Sequence, residues 1–178
     1  MIRKLSIVGL LCAGLVAVAL PAQAADTTTT FTLSGSSLSI SAPASKSLGS
    51  TATGSASLAA QLGTVTVTDA RGATLGAWTA SVSSTDFTTG GGTANETITK
   101  SNATYWSGAA TASSGVGTFT PGQLLSVNAQ ALSASRTAFS ATVVVGNNSV
   151  SWNPTVTINL PAAAVAGDYT GTITHSVA

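Results

Sequence analysis

The sequence predicts an all-β protein, an antiparallel β-sandwich of the Ig-like kind, with a closed β-barrel as the alternative architecture. Threonines alternate with Val, Ile, Leu, Phe and Tyr over many short stretches, which is the period-2 pattern of a half-buried strand. Most of these stretches end in Gly, Asn, Asp or Pro. No strand–helix–strand rhythm is visible, and the helix-favouring residues Glu, Lys, Leu and Gln are scarce.

Alternation predicts nine strands, taken here in chain order. They cover residues 28–33, 37–41, 63–69, 75–83, 97–100, 139–145, 149–152, 155–160 and 169–177.

Turn residues predict how these strands are connected. Residues 69–72, Asp-Ala-Arg-Gly, indicate a hairpin turn, and Asn147-Asn148 indicate a second one. Residues 90–92 and 107–117 are rich in glycine and small polar residues, which predicts long surface loops. Residues 123–135 have apolar positions at mixed spacing, so a helical turn and another strand are both open there.

Residues 1–24 have the form of a secretory signal peptide. Arg3 and Lys4 precede an apolar run over residues 5–20, and Ala-Gln-Ala at 22–24 has the A-x-A form of a cleavage site. The run is about 16 residues, short for a hydrocarbon core of about 30 Å, so a retained transmembrane helix is the weaker alternative. We therefore expect a secreted, extracellular protein that begins near Ala25 and has no transmembrane segment.

The predicted mature chain, residues 25–178, is expected to form one domain. Removing 24 residues from 178 leaves 154, enough for a single core. The only cysteine, Cys12, lies in the leader and has no lipoprotein signal around it. The exported domain is therefore expected to have no disulfide, and packing and strand pairing must stabilise it.

Charge is sparse in residues 25–178 and argues against two classes of partner. The four basic residues are scattered among five acidic ones, for a net charge of −1. Nucleic acid is not expected as a partner, because neutralising phosphates takes clustered Lys and Arg. Attachment to anionic lipid through a polybasic patch is excluded for the same reason.

Candidate catalytic groups are few. His175, the single histidine, lies on the apolar side of the last predicted strand, which favours a packed or edge histidine over a general base. No G-x-S-x-G elbow accompanies it. Asp69 and Asp168 lie in turns, and Asp86 and Glu96 lack an apolar pocket that would raise their pKa. An exported glycosidase is therefore the least favoured function. No metal site and no cofactor are expected.

Aromatic residues are the remaining candidates, because exposed rings stack on sugars or anchor protein partners. Trp78 and Trp152 are expected to belong to the core. Tyr105 and Trp106 precede a glycine-rich stretch and form the best candidate for an exposed binding pair, with burial in the core as the equal alternative.

Two segments resemble the motifs of the WxL domain, an exported module of Gram-positive bacteria. Residues 76–88, GAWTASVSSTDFT, resemble the first motif through Trp78, with Ala80 in place of its leucine. Residues 166–177, AGDYTGTITHSV, resemble the second motif, an A-G-x-Y turn followed by Y-x-x-x-[LIV]-T-W-x-L. Tyr169, Ile173 and Thr174 match that pattern, whereas His175 stands where the family has tryptophan.

The resemblance implies a divergent, actinobacterial-type WxL-like surface protein. WxL domains are β-rich modules that attach proteins non-covalently to the cell wall, apparently through peptidoglycan, without catalysis. We therefore expect a non-catalytic cell-surface protein that associates with wall glycan or with a surface protein. A structural or adhesin subunit that assembles through its sheet edges is the alternative.

Overall fold

The computed structural model describes residues 27–178, and the structural statements that follow concern this part of the chain. The predicted leader at 1–24 lies outside the described residues. Within Leu33–Ala178, which form one compact unit, eleven strands are present. They are β1 Leu38–Ser41, β2 Ser57–Gln61, β3 Val65–Ser84, β4 Phe87–Thr88, β5 Thr97–Ile98, β6 Ala103–Trp106, β7 Ala110–Pro121, β8 Gln130–Ala131, β9 Arg136–Trp152, β10 Thr155–Asn159 and β11 Ile173–Val177.

The strands form an antiparallel sandwich, which confirms the predicted all-β class. The larger sheet has the order β1–β3–β9–β7, and β11 pairs with the second half of β3 on the same side as β1. The smaller sheet has the order β2–β10–β6–β8, and β4 and β5 form a separate two-stranded ribbon. Both larger sheets have free outer strands, so the described residues do not close into the alternative barrel.

The core lies between the two sheets and follows the predicted alternation. In β3, Val65 and Val67 point inward, while Thr66 and Thr68 point away from the core. Their partners across the ladder, Trp152 and Val150 of β9, are also fully buried. The smaller sheet contributes Tyr105, Val156 and Ile158 among others, so one continuous apolar cluster holds the sheets together.

β3 and β9 are each a single long strand with a bend in the middle, which corrects two predictions. Residues 69–72 and 147–148 are not hairpin turns, since the ladder of β3 and β9 continues past them, with register shifts between Asp69 and Ala73 and again between Ala73 and Trp78. The turn chemistry is nevertheless present locally, because Gly72 and Gly146 have φ of 66° and 67°. Each glycine lets the strand kink within the sheet instead of reversing it.

A buried polar network fixes this bend. Asp69 is 0% exposed and accepts hydrogen bonds from Arg71 Nε at 2.9 Å and from Asn148 Nδ2 at 3.2 Å. Asn148 in turn accepts a hydrogen bond from the Trp78 indole at 3.1 Å. The Arg71 guanidinium also donates to the carbonyl of Ala77. Asp69 therefore connects β9 through Asn148 and the part of β3 beyond the bend through Arg71.

The prediction of a surface loop at residues 107–117 is wrong in part, because β7 begins at Ala110. The glycines in this segment allow β7 to pack closely against β9. A Cβ at Gly115 would lie 2.4 Å from the Asn147 carbonyl oxygen, and one at Gly117 would lie 2.6 Å from a Val144 methyl group. Small residues therefore mark close strand contact in this segment and not the absence of a strand.

The remaining predictions are met to different extents. The strand predicted at 28–33 is not present, since these residues have no regular secondary structure. The strand predicted at 97–100 ends at Ile98, where a 3₁₀ turn over Lys100–Asn102 follows. Residues 123–135 contain both open alternatives, a 3₁₀ turn over Ser126–Asn128 and the short strand β8. Residues 90–92 form the predicted loop.

Candidate functional site

A cavity of about 710 Å³ lies between the two sheets and is the main candidate site of the described residues. Its volume is within the usual range for ligand pockets. The walls come from β2 and β10 of one sheet, from β3 and β11 of the other, from the β4–β5 ribbon, and from two loops, residues 42–54 and 160–172. The apolar lining residues on these elements are Leu58, Ile158, Val65, Ile173, Phe87 and Ile98.

The side of the sandwich that holds this cavity is also where strand edges are free. β2 pairs only with β10, and β11 pairs only with β3, so within the described residues each has one edge without a ladder, although β1 lies close to β11. Leu58 of β2 and Ile173 of β11 are half-buried and line the cavity from these outermost strands. The site therefore combines an apolar lining with backbone groups that are free to pair.

The β1–β2 loop, residues 42–56, covers the cavity only lightly. Of its side chains, Leu48 packs against the core, and almost all the others are exposed. In the described part of the chain, the hydrogen bonds of residues 43–55 join loop residues to one another, as between Thr51 and Ser55.

Three aromatic side chains form a hydrogen-bonded chain that ends at the cavity wall. The Trp152 indole donates to the Tyr105 hydroxyl at 3.0 Å. The same hydroxyl lies 3.2 Å from Nε2 of His175, which lines the cavity. Because the hydroxyl oxygen already accepts the indole proton, its own proton is available to Nε2, and this arrangement suits a neutral imidazole.

Burial controls the protonation of this chain. It lowers the pKa of His175 to about 4, and it raises the pKa of Tyr105 well above its ordinary value. At neutral pH both side chains are therefore uncharged, and the cavity wall offers a polar but neutral group.

Lowering the pH from 6.5 to 5 is expected to reduce the free energy of unfolding by about 2 kcal/mol through His175. The unfolded chain binds a proton near pH 6.5 while the folded chain resists it, so stability is complete above that pH and falls as the folded pKa is approached. Urea denaturation at pH 7, 6 and 5 measures this loss. His175→Gln should flatten the profile, and an equally steep profile in that variant would contradict the assignment.

The structure separates the two members of the predicted aromatic pair. Tyr105 is fully buried, so the expectation that it is exposed for binding is wrong. It is on the inward face of β6 beside buried Ala103, and its hydroxyl is used inside the core. Trp106, the next residue, points to the other face and is half-buried.

The other predicted residues are distributed over the core and over β11. Trp78 and Trp152 are buried, as predicted. Ile173 and His175 are half-buried on the inward face of β11, Thr174 is exposed on the outward face, and Tyr169 precedes the strand with its hydroxyl 2.9 Å from the Val165 carbonyl oxygen. Tyr169, Ile173 and His175 all line the cavity. Sequence reasoning missed the cavity itself, because its lining comes from strands and loops far apart in the chain.

The carboxylates considered for catalysis have other contacts. Asp69 is paired with Arg71, which lowers its pKa to about 2. Glu96 accepts hydrogen bonds from Thr93, which lower its pKa. Asp86 accepts the backbone N–H of Lys100. Asp168 lines the cavity. The described residues hold no group of three or more His, Cys, Asp or Glu side chains placed to bind a metal ion.

No protein-family model, curated protein or solved structure matches this chain. Among residues 27–178, none of the helices has the length and apolar character needed to cross a bilayer. The fold and the cavity define an all-β sandwich with a partly apolar cavity beside two strand edges that no described strand pairs with.

Proposed function

We propose that this chain is a secreted, non-catalytic protein of a Gram-positive cell surface that binds an extended, apolar stretch of polypeptide in the cavity between its sheets. The observation that carries the proposal is the position of the cavity beside the unpaired edges of β2 and β11. An added strand pairs with a free edge through its backbone, while alternate side chains enter the pockets behind that edge. Apolar lining and free backbone groups are the two features that this mode of binding needs.

The lining favours polypeptide over sugar as the occupant. Sugars stack on exposed aromatic rings, but Tyr105 and Trp152 are buried. The strands that line the cavity contribute mostly aliphatic side chains, while its loops add Tyr169 and several Ser and Thr side chains. The charged groups among the lining residues are Lys46 and Asp168. Binding is therefore expected to depend on apolar contact and strand pairing, and to persist when salt is raised.

The protonation state of His175 and the resemblance to WxL domains support a non-catalytic role. A neutral imidazole that is bonded to Tyr105 lacks the oriented carboxylate that a catalytic triad requires. The two segments that resemble the WxL motifs are neighbours, since β11 pairs antiparallel with the part of β3 that follows Trp78. A divergent WxL-like surface protein fits this arrangement.

Wall glycan is the second candidate partner, and Trp106 is the observation that favours it. Its half-buried ring lies on the outward face of β6 beside Gly108. A Cβ atom added to Gly108 would lie 3.5 Å from the ring. A half-buried tryptophan next to a glycine, which places no side chain over the ring, suits stacking on a sugar.

A co-sedimentation experiment separates these partners. The chain that begins at Ala25 is expected to co-sediment with purified Gram-positive walls, and to lose this binding when surface proteins are first removed from the walls by protease. Ile173→Glu, which places a carboxylate in the cavity wall, should abolish binding. Thr174→Glu, on the exposed face of the same strand, should bind normally.

Three results would change this assignment. Binding that survives protease and is lost in Trp106→Ala would establish wall glycan as the partner. Binding that is equal in the two glutamate variants would exclude the cavity as the site. Failure of the unaltered chain to co-sediment with any wall would contradict the surface role.

A further inference from the structure

Residues 27–35, here called the arm, have the sequence TTTTFTLSG, whose alternation is typical of a strand. The end of the arm is held at the bend of β3, where Leu33, Ser34 and Gly35 line a small pocket with Arg71 and Gly72. Alternation predicts a strand at 28–33, yet the structure assigns no strand to these residues. Phe31 and Leu33 are 93% and 91% exposed. Side chains two positions apart in an extended chain point to the same face, so both apolar side chains of the arm share one side, and Thr30 and Thr32 share the other.

The cavity lies where a further strand could be added. It lies beside two strand edges that are free within the described residues, and its apolar lining is covered by a loop that contributes Leu48 to the core. The arm is therefore a strand-like segment with no assigned strand partner, and β2 and β11 each have an edge that no described strand pairs with.

We propose that the arm of one copy adds as a strand at the cavity of a second copy, with Phe31 and Leu33 entering the apolar lining. This inference rests on the proposed polypeptide-binding function and names its partner, another copy of the chain. Thr30 and Thr32 would then face away from the cavity. Because the arm carries no charge, the pairing depends on backbone hydrogen bonds and apolar contact.

The outer edge of β7 is a poorer acceptor for the arm. Its pairing with β9 is interrupted by three register shifts, and the strand ends at Pro121. Bulges and proline are the features by which natural sheets prevent an edge from accepting another strand. The five-residue strands β2 and β11 lack proline and show unbroken registers with their neighbours.

The geometry of such an assembly follows from one arm and one cavity in each chain. A contact that joins two different surfaces is heterologous, so it continues from copy to copy into an open chain or a closed ring. The assembly is therefore expected to grow with protein concentration beyond a dimer, and to be insensitive to salt.

Sedimentation velocity over a range of protein concentrations tests the proposal with full chains that begin at Ala25. The unaltered chain is expected to form assemblies larger than a dimer. The double variant Phe31→Ser/Leu33→Ser should assemble at least about 10-fold more weakly, since it loses both apolar contacts of the arm. The matched control Thr30→Ser/Thr32→Ser, altered on the opposite face, should assemble normally.

A mixing experiment tests the donor and acceptor roles separately. Phe31→Ser/Leu33→Ser keeps a working cavity, and Ile173→Glu keeps a working arm, so each should be monomeric alone while the mixture gives a 1:1 dimer that grows no further. Leu58→Glu, which alters the opposite wall of the cavity, replaces Ile173→Glu if circular dichroism shows that the latter is unfolded.

The outcomes distinguish this inference from the proposed function. Assembly that is unchanged by Phe31→Ser/Leu33→Ser would overturn the inference. A chain that stays monomeric at all concentrations but loses wall binding in Ile173→Glu would also overturn it, while leaving the proposed function intact. Assembly without wall binding would keep the inference and remove the surface role.

Discussion

Asp69→Ala is expected to lower the free energy of unfolding by about 2–4 kcal/mol, measured by urea denaturation at pH 7. The carboxylate is completely buried at the bend of β3, where Arg71 and Asn148 donate to it. Removing it leaves the Asn148 amide and the Arg71 backbone N–H without their partner inside the protein. The arginine side chain, 37% exposed, can turn to water, so the loss is smaller than for a fully buried ion pair.

Asp86→Ala is the matched control for this prediction. Its carboxylate accepts one backbone N–H, from Lys100, at an exposed position, so we expect a loss of no more than about 1 kcal/mol.

The pKa of Asp69, held at about 2 by Arg71, adds a pH dependence. The stability that Asp69 contributes should persist at pH 4 and disappear as the pH falls from 3.8 toward 2, where the folded carboxylate takes up its proton. Equal losses in the two variants would show that the network does not stabilise the bend.

The bend also shows what local sequence signals reveal in this protein. Trp78 was correctly assigned to the core, and it lies with Ala80 and Val82 on the buried face of β3, where burial on one face imposes period 2. In β9 the alternation is interrupted, since Val144 is buried while Val143 and Val145 are exposed. Gly72 was correctly recognised as a position of positive φ, and Gly146 has the same conformation beside the predicted Asn147-Asn148 turn, but the direction of the chain after both positions was predicted wrongly. A positive φ suits a hairpin turn and a bulge equally, and only the partner strand across the ladder decides between them.

Tyr105 illustrates a second limit. The glycines after it suggested an exposed loop, but Tyr105 pairs with Val156 of β10 and points into the core. Its burial depends on β10 lying alongside, which is a contact between residues about fifty positions apart. The cavity has the same origin, because its lining is collected from β2, β3, β10 and β11. No local pattern in any one of these strands indicates a space between them.

Residues 28–33 show the opposite error: their alternation strongly predicts a strand, but no strand is assigned to them. The pattern Thr-Phe-Thr-Leu favours a strand, but a strand forms only where a neighbouring edge completes its hydrogen bonds. A partner in another copy would satisfy the sequence signal that the single chain leaves unused.

Trp152→Ala is expected to have the largest effect of any variant considered, a loss of about 3–5 kcal/mol in the free energy of unfolding. The indole is fully buried, lies with its ring centroid 5.0 Å from that of Phe139, and donates to the Tyr105 hydroxyl. Truncation opens a cavity of aromatic size in the core and leaves the Tyr105–His175 pair without its indole donor.

Trp106→Ala is the matched control, because it removes the same side chain from the outward face of β6, where the ring is half-buried. We expect a loss of about 1 kcal/mol there, since less apolar area leaves contact with the protein. Trp152→Phe keeps a ring against Phe139 but removes the indole N–H and part of the ring. It should cost about 1–3 kcal/mol, less than Trp152→Ala, through the smaller ring and the lost donor to the Tyr105 hydroxyl, which keeps its hydrogen bond to His175. If Trp106→Ala is instead the more damaging change, the inward and outward faces of β6 have been assigned in reverse, and Tyr105 would return as a candidate for surface binding.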